Sequence, residues 1–214
     1  LGLCLDTSDA RFQAALARFR QAREDRARKM VERLARLGLP LEWERVAQVA
    51  RGESIGRPHI TQAMVEKGYA SSIAEAFSRY IGREGPAYVE REKMTPEEAT
   101  RLVVAAGGLP ALAHPWEVAD LEGLLKRLQG EGLVGLEVYY NNYTPEQMGS
   151  LLSLAKGMDL LPLGGSDYHA FGTPGEVEPG DVGPPLEVAR RLLEIGLERG
   201  CPLPRPLPLR VPRG

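Results

Sequence analysis

The chain has 214 residues and a mass of 23.4 kDa, which is enough for one large domain or two small ones. Apolar residues make up 43% and charged residues 26% of it, and the formal net charge is −2. This composition is typical of a globular protein and argues against a strongly basic nucleic-acid-binding coat. The apolar runs are far shorter than the roughly 20 residues of a transmembrane helix, so we expect no membrane partner.

The first half of the chain has the apolar periodicity of helices, after a short strand-like start at residues 1–5. Apolar side chains recur every three or four residues from 9 to 37, and Gly38 ends this first predicted helix. Its most charged stretch, residues 20–29, is either a solvated face or a surface directed at phosphate. Further helices are predicted over residues 41–50, 60–68 and 72–80.

The second half alternates helices with short apolar strands. Thr95 and Thr144 each open a capping box with proline at the first helical position. Strands are predicted over residues 109–113, 133–140 and 160–163, and helices over 121–129 and 186–199. This alternation is typical of an α/β protein with a parallel sheet or barrel. The proline-rich tail, residues 201–214, cannot be helical and is predicted to lie extended.

The two cysteines, Cys4 and Cys201, are almost 200 residues apart in the sequence. No CxxC motif and no disulfide framework surrounds them, and we expect no signal peptide. Free thiols of this kind indicate a reducing compartment, so we expect a cytoplasmic protein.

Histidine is rare in this chain, and its positions are informative. Two of the three histidines, His114 and His169, follow predicted strands, and Asp167 lies two residues before His169. Parallel sheets and barrels build their active sites at this carboxyl end of the strands. A carboxylate and imidazoles that meet there suit Zn²⁺, Mn²⁺ or Fe²⁺ better than Mg²⁺ or Ca²⁺. The alternative is structural, with these residues capping turns or lying at the surface.

A second candidate site is the sequence Arg57-Pro58-His59, predicted as a loop ahead of a helix. Arg57 offers a planar fork of donors for phosphate, and His59 can add another donor. The helix amino terminus that follows also favours an anion. The alternative is a loop arginine that pairs with Glu53.

Four residues are candidates for lining the site at the strand ends. Glu137 lies within an apolar strand and must face something polar, either a site or a structural arginine. Tyr139 and Tyr140 alternate between faces, and one of them reaches the strand end together with Asn141 and Asn142. Trp116 either stacks on a nucleobase or packs within the protein. The candidate set for the lining is Glu137, Tyr139, Asn141 and Trp116.

Eight segments together resemble one protein family in their order along the chain. They are Arg57-Pro58-His59-Ile60, residues 65–69, 76–82 and 86–89, Ala105-Ala106-Gly107-Gly108, Leu112-Ala113-His114-Pro115, residues 135–140, and Gly164-Gly165-Ser166-Asp167-Tyr168-His169. They resemble the PHP-domain phosphoesterases, and within them the 3',5'-nucleoside bisphosphate phosphatases and related 5'-3' exoribonucleases. The similarity extends over about residues 1–180.

The resemblance implies a distorted (β/α)₇ barrel with a helical insertion. Residues 1–7 and 91–200 would form the C-terminal part of this barrel, and residues 8–90 the insertion. It also implies two or three divalent metal ions at the strand ends, usually Mn²⁺, with Zn²⁺, Fe²⁺ or Mg²⁺ as alternatives.

The resemblance also implies roles for individual residues. His114, Asp167 and His169 match metal ligands of the family, whereas Arg57 and His59 match residues of the insertion that hold a substrate phosphate. The implied activity is hydrolysis of phosphate esters by metal-activated water. Its substrates would be nucleoside 3',5'-bisphosphates or the 5' ends of short RNA, and no double-stranded DNA is expected.

The metal ligands that the family carries on its first strands, beginning with His-x-His, have no counterpart in this sequence. We expect either that about the first quarter of the family pattern is missing from the sequence, or that this is a degenerate member. A degenerate member would bind phosphate or a nucleotide without hydrolysing it. A structural or interaction domain is the third alternative.

Overall fold

The computed structural model describes residues 1–51, 55–168 and 177–202. The chain divides into two compact units, one of Leu1–Phe12 with Met94–Gly214 and one of Gln13–Lys93. The strands within the described ranges are β1 (Gly2–Leu3), β2 (Leu109–Leu112), β3 (Gly135–Tyr140) and β4 (Leu161–Gly165). The α-helices are α1 (Ala10–Arg36), α2 (Trp43–Ala50), α3 (Arg57–Glu66), α4 (Ile73–Ala76), α5 (Pro96–Ala105), α6 (Leu121–Gly130), α7 (Pro145–Gly157) and α8 (Leu186–Glu198).

Two short turns of other helix types complete the described secondary structure. A π-helical turn, Phe77–Ile81, continues α4, and a 3₁₀ turn, Pro115–Glu117, follows β2. Across the described residues, no helix combines the length and the apolar character that a membrane crossing requires. Most of the predicted proline-rich tail, residues 203–214, lies outside the described residues.

The unit of residues 13–93 is held together by apolar side chains on one face of each helix. In α1, Ala27, Met30 and Leu34 are spaced by three or four residues, and all three are buried. Their cluster includes buried side chains from the following elements: Val46, Ile60, Met64, Ala76 and Ile81. The opposite face of α1 carries its charged residues, so amphipathic periodicity accounts for this unit.

Helix α3 begins earlier than the sequence predicts. The prediction of a loop at Arg57-Pro58-His59 is wrong, because Arg57 is the first residue of α3 and Gly56 is its N-cap. Pro58 does not interrupt the helix, since residues of the first turn have no intrahelical partner for their N–H groups. The N–H of Gly56 donates to Nδ1 of His59 at 3.1 Å and closes this first turn.

The other unit contains one sheet with the strand order β1-β2-β3-β4. The last three strands are parallel, as the alternation of helices and strands predicts. The short β1 pairs antiparallel with β2 through Gly2 and Leu3, so the sheet is mixed. Helices α5 and α7 begin at the predicted capping boxes of Thr95 and Thr144.

Helices α6 and α7 form the two crossovers between the parallel strands and cover one face of the sheet. The apolar cluster at this face joins side chains of α6, β3 and α7: Leu124, Leu125, Leu128, Leu136, Val138, Leu151 and Ala155. A second cluster contains Leu109 and Val134, together with Cys201 and side chains of α8. Cys4 packs against this second cluster, and neither cysteine is in a disulfide.

A β-bulge in β3 changes the alternation of its side chains. Glu137 pairs with Leu163, but the next pairing is Tyr139 with Gly164, so β3 advances two residues while β4 advances one. Val138 is fully buried in the cluster with α6 and α7, and Tyr139 packs against the same cluster. Strict alternation would have placed Tyr139 on the opposite face, the face of Glu137.

Gly164 makes this bulge sterically feasible. A Cβ atom at position 164 would overlap the carbonyl oxygen and Cβ of Tyr139. The next residue, Gly165, has open space where its Cβ would lie. The close approach of the two backbones therefore requires glycine at position 164 but not at position 165.

Replacement of Gly164 by alanine should destabilise the sheet. The added methyl group must push β3 and β4 apart at the bulge, and overpacking of this kind costs about 1–3 kcal/mol of the free energy of unfolding. Urea denaturation followed by circular dichroism measures this loss. Gly165→Ala is the matched control on the same strand and should change stability much less. Equal stability of the two variants would contradict the steric role of Gly164.

Candidate active site

His114 stands two residues after the end of β2, in a strained backbone conformation. Its φ of 48° and ψ of 45° lie in the left-handed region, which is uncommon for residues other than glycine. Its N–H donates a hydrogen bond to Oε2 of Glu137 on the neighbouring strand at 2.7 Å. Pro115 then starts the 3₁₀ turn, so both sides of His114 are held in place.

Glu137 faces the candidate site. Its side chain is buried, with the residue only 5% exposed, and it accepts the N–H of His114. The sequence left open whether this carboxylate faces a site or an arginine, and the hydrogen bond to His114 favours the site. Oε2 of Glu137 is 3.9 Å from Nδ1 of His114, too far for a direct hydrogen bond. Glu137 thus fixes the backbone of His114 rather than its ring.

Asp167 brings a second polar side chain to the same edge of the sheet. It follows β4 and, like His114, has a left-handed backbone, with a φ of 52°. Its Oδ2 lies 3.7 Å from Nε2 of His114. The two side chains remain accessible, at 40% and 36% exposure. Backbone strain of this kind at two neighbouring polar residues is a feature of functional sites.

Tyr140 is the third side chain of this group. The sequence analysis had named Tyr139, and not Tyr140, as the tyrosine that lines the site. The rings of Tyr140 and His114 meet edge to face, with their centroids 5.1 Å apart. The Tyr140 hydroxyl is 3.5 Å from Oδ2 of Asp167 and accepts a 2.9 Å hydrogen bond from the Asn142 side chain. Tyr140 takes this position instead of Tyr139 because the bulge in β3 turns Tyr139 toward the apolar cluster of α6 and α7. Asn141 is less direct, with Nδ2 at 3.4 Å from Oδ1 of Asn142.

Trp116 and Tyr143 extend the aromatic group beyond His114. Tyr143 meets Tyr140 edge to face at 5.0 Å, and its hydroxyl lies 3.4 Å from the N–H of Trp116. Burial raises the pKa of the Tyr143 phenol, and the nearby carboxylate of Glu137 raises it further, against the hydrogen bond from Trp116. The Tyr143 phenol therefore stays protonated at neutral pH. The Trp116 residue itself is 48% exposed.

The donor atoms of His114 and Asp167 fit one shared metal ion. Ligand atoms bound to a divalent ion lie about 2.0–2.2 Å from it, so two of them can be up to about 4 Å apart. The separation of 3.7 Å between Nε2 and Oδ2 satisfies this limit. Oε2 of Glu137 lies on the side of the other ring nitrogen, 3.9 Å from Nδ1. Within residues 1–51, 55–168 and 177–202, no group of three His, Cys, Asp or Glu side chains could hold a metal.

Two residues named from the sequence cannot be placed. His169, the predicted third ligand, lies outside the described residues, and so does Glu53, the alternative partner of Arg57. The pair His114 and Asp167 is therefore the described part of the predicted ligand set.

The predicted phosphate-binding residues lie in the unit of residues 13–93, in the first turn of α3. The Arg57 guanidinium stands over the Phe77 ring at 5.3 Å from its centroid. Because Nδ1 of His59 accepts the hydrogen bond from Gly56, its neutral ring carries the proton on Nε2. His59 can therefore act as a donor through Nε2.

Arg26 of α1 adds a second guanidinium close to Arg57. Burial lowers the pKa of Arg26, and the positive charge of Arg57 lowers it further, although arginine remains protonated. Arg26 also donates from Nε to the carbonyl oxygen of Val89 at 2.7 Å and lies over the Tyr88 ring. Two neighbouring like charges at a helix amino terminus create a region that favours an anion. The sequence analysis anticipated such a region only as one of two interpretations of the charged stretch 20–29, a surface directed at phosphate.

Comparison with known proteins gives this geometry a family context. No family model matches the sequence. The 5'-3' exoribonuclease Rnm of Salmonella typhimurium is 30% identical over 176 residues, which cover 79% of this chain and 59% of that protein. The 3',5'-nucleoside bisphosphate phosphatase of Chromobacterium violaceum is 29% identical over 188 residues, or 86% of this chain and 65% of that protein. The chain thus spans about three fifths of the length of these curated relatives.

A crystal structure decides the family. A protein of Bifidobacterium adolescentis, provisionally named a metal-dependent phosphoesterase, is 34% identical and superposes with a TM-score of 0.68. The match covers 88% of this chain and 68% of that one. The chain belongs to the PHP-domain family of metal-dependent phosphoesterases. The resemblance drawn from the sequence motifs is therefore confirmed for this PHP-domain chain.

Removal of the Glu137 carboxylate should destabilise this PHP-domain chain and loosen His114. Glu137→Ala leaves the partly buried N–H of His114 without its acceptor, which costs about 1–3 kcal/mol of the free energy of unfolding. Glu137→Gln retains an oxygen acceptor and should lose less. Urea denaturation checks both variants, with Glu117→Ala in the exposed neighbouring turn as a control expected to be near neutral. The hydrogen bond would be unimportant if the alanine and glutamine variants were equally stable.

Proposed function

We propose that the protein hydrolyses phosphate esters of nucleotides, either nucleoside 3',5'-bisphosphates or the 5' ends of short RNA. The observation that carries this proposal is the convergence of His114 and Asp167, with 3.7 Å between Nε2 and Oδ2. The two side chains come from the carboxyl ends of strands flanking β3, where parallel sheets build their active sites. The names of the relatives from Salmonella typhimurium and Chromobacterium violaceum support the choice of substrate class.

Divalent metal ions, Mn²⁺ first among them, belong to this proposal. His114 through Nε2, Asp167 through its carboxylate and His169 would hold them, with two or three ions in a complete site. Bound metal of this kind supplies Lewis-acid activation of water and neutralises charge on the phosphate. The neighbouring side chains position the residues that would hold the metal. Glu137 fixes His114 through its backbone N–H, and Tyr140 contacts both ligands, which limits the movement of their donor atoms.

We also propose that Arg57, His59 and Arg26 bind a phosphate group of the substrate. Arg57 supplies a planar fork of N–H donors, and Nε2 of His59 supplies a further one. The positive end of α3 adds to the attraction of a phosphate. The mutual repulsion of Arg26 and Arg57 would be relieved by a bound dianion, which favours substrates with an additional phosphate.

The fold proposal follows the same family. We infer that β2, β3 and β4 with their helices form the C-terminal part of a distorted (β/α)₇ barrel, including residues 1–7 and 91–200. Residues 8–90 would be its helical insertion. The parallel order of these strands and the helices between them support this interpretation.

A phosphate- or nucleotide-binding module without hydrolysis is the second candidate. It is favoured by the two neighbouring guanidinium groups of Arg26 and Arg57 at the start of α3, which attract an anion without any metal ion. The two functions differ in one measurement, the release of inorganic phosphate in the presence of Mn²⁺ by the protein isolated from its own cells. Tight binding of a nucleoside bisphosphate without any phosphate release would establish the second candidate.

Asp167→Asn should abolish Mn²⁺-dependent phosphate release from a nucleoside 3',5'-bisphosphate. Loss of a residue that merely supports a metal ligand costs 10- to 100-fold, so loss of the carboxylate itself should lower kcat by at least about 100-fold. Its affinity for Mn²⁺, measured by calorimetry, should fall as well. Asp159→Asn is the matched control, because Asp159 has the same left-handed backbone but precedes β4. Near-normal turnover by Asp167→Asn would contradict the metal role.

Arg57→Ala should weaken the binding of doubly phosphorylated substrates selectively. A hydrogen bond to a charged group contributes about 1.5–3 kcal/mol, so KM for a nucleoside 3',5'-bisphosphate should rise about 10- to 150-fold. KM for a nucleoside monophosphate should change little, and Arg36→Ala, on the exposed last turn of α1, should affect neither substrate. An equal rise for both substrates would show that Arg57 does not recognise the additional phosphate.

A further inference from the structure

Trp116 is a large apolar side chain left half exposed next to the candidate active site. It is the second residue after His114, so their Cα atoms are at most about 7.6 Å apart. Most tryptophan side chains are largely buried, because the indole contributes a large apolar area. An exposed indole so close to His114 is available to contact whatever binds there.

The backbone holds Trp116 in a defined position. It lies in the 3₁₀ turn of residues 115–117, which opens with the buried Pro115. The N–H of Val118 donates to the carbonyl oxygen of Pro115 at 3.0 Å and closes this turn. The hydroxyl of Tyr143 lies 3.4 Å from the backbone nitrogen of Trp116 and links the turn to the connection between β3 and α7. The backbone that carries the indole is therefore preorganised, and ligand binding needs to order only the side chain.

A groove of about 210 Å³ lies beside the indole, and its lining is uncharged. Besides Trp116, the lining contains Val118, Leu121 and Leu154, with Ser150 as its polar residue. The Ser150 hydroxyl already donates to the carbonyl oxygen of Glu146 at 2.9 Å. A phosphate or carboxylate would lose its hydration in this groove without gaining a cationic partner. The apolar lining of this groove suits a flat, uncharged ring.

We propose that Trp116 and this groove bind the nucleobase of the nucleotide whose phosphate lies at His114 and Asp167. The proposal rests on the function proposed above and adds the part of the substrate that the strand-end residues do not contact. Stacking of a base on an aromatic side chain tolerates all four bases, because each base has a π face. The site therefore selects for the presence of a base rather than for its identity.

Trp116→Ala should raise KM for adenosine 3',5'-bisphosphate by about 5- to 150-fold, the range expected for loss of one stacked base. The kcat should change little, because Trp116 does not touch the reacting phosphate. The same variant should leave KM unchanged for the matching sugar bisphosphate without a base. Trp116→Phe keeps an aromatic face and should retain most of the affinity. An equal effect of Trp116→Ala on both substrates, or none on either, would overturn the proposal.

An equilibrium measurement separates this proposal from the proposed function. The chain has two tryptophans, so in a Trp43→Phe background the indole fluorescence comes from Trp116 alone. Adenosine 3',5'-bisphosphate should quench this fluorescence, whereas the sugar bisphosphate without a base should not. Quenching without hydrolysis would support base binding and contradict the hydrolytic function. Hydrolysis without base-dependent quenching would support the function and contradict base binding.

Discussion

The contact between Gly164 and the backbone of Tyr139 determines which side chains of β3 reach the candidate active site. Because β4 has no side chain at position 164, β3 can bulge toward it and gain one residue against its partner. The gain turns Tyr139 to the helices and leaves Glu137 and Tyr140 beside His114. With regular pairing, an apolar packing residue and a site residue would exchange places. The geometry of the site therefore depends on the absence of one methyl group.

Two residues of the site carry unfavourable backbone conformations, and the surrounding structure compensates for them. A left-handed residue other than glycine costs roughly 1–2 kcal/mol, and this cost applies to both His114 and Asp167. At His114 the buried carboxylate of Glu137 offsets part of it through a charge-assisted hydrogen bond. These conformations let the chain turn sharply after β2 and after β4. The turns bring the imidazole of His114 and the carboxylate of Asp167 to a separation of 3.7 Å.

Much of this arrangement could be predicted from local sequence, and the parts that could not depend on pairing between segments. The capping boxes at Thr95 and Thr144 marked helix starts correctly, because their signal lies within four residues. The alternation of helices with short apolar strands likewise predicted the parallel pairing of β2, β3 and β4. The choice of Tyr139 over Tyr140 failed, because a bulge depends on what the neighbouring strand presents. Arg57 was assigned to the loop ahead of a helix, whereas it is the first residue of α3 and Pro58 belongs to the same first turn.

The connection between β3 and α7 is anchored at both ends. The N–H of Tyr143 donates to the carbonyl oxygen of Tyr140 at 3.1 Å, and the capping box of Thr144 begins α7 immediately afterwards. An insertion or deletion in residues 141–144 would disturb either the aromatic contacts of His114 or the start of the helix. Evolutionary change in the length of this loop is therefore constrained. Change at this edge of the sheet must then proceed mainly by single replacements that keep the length of the loop.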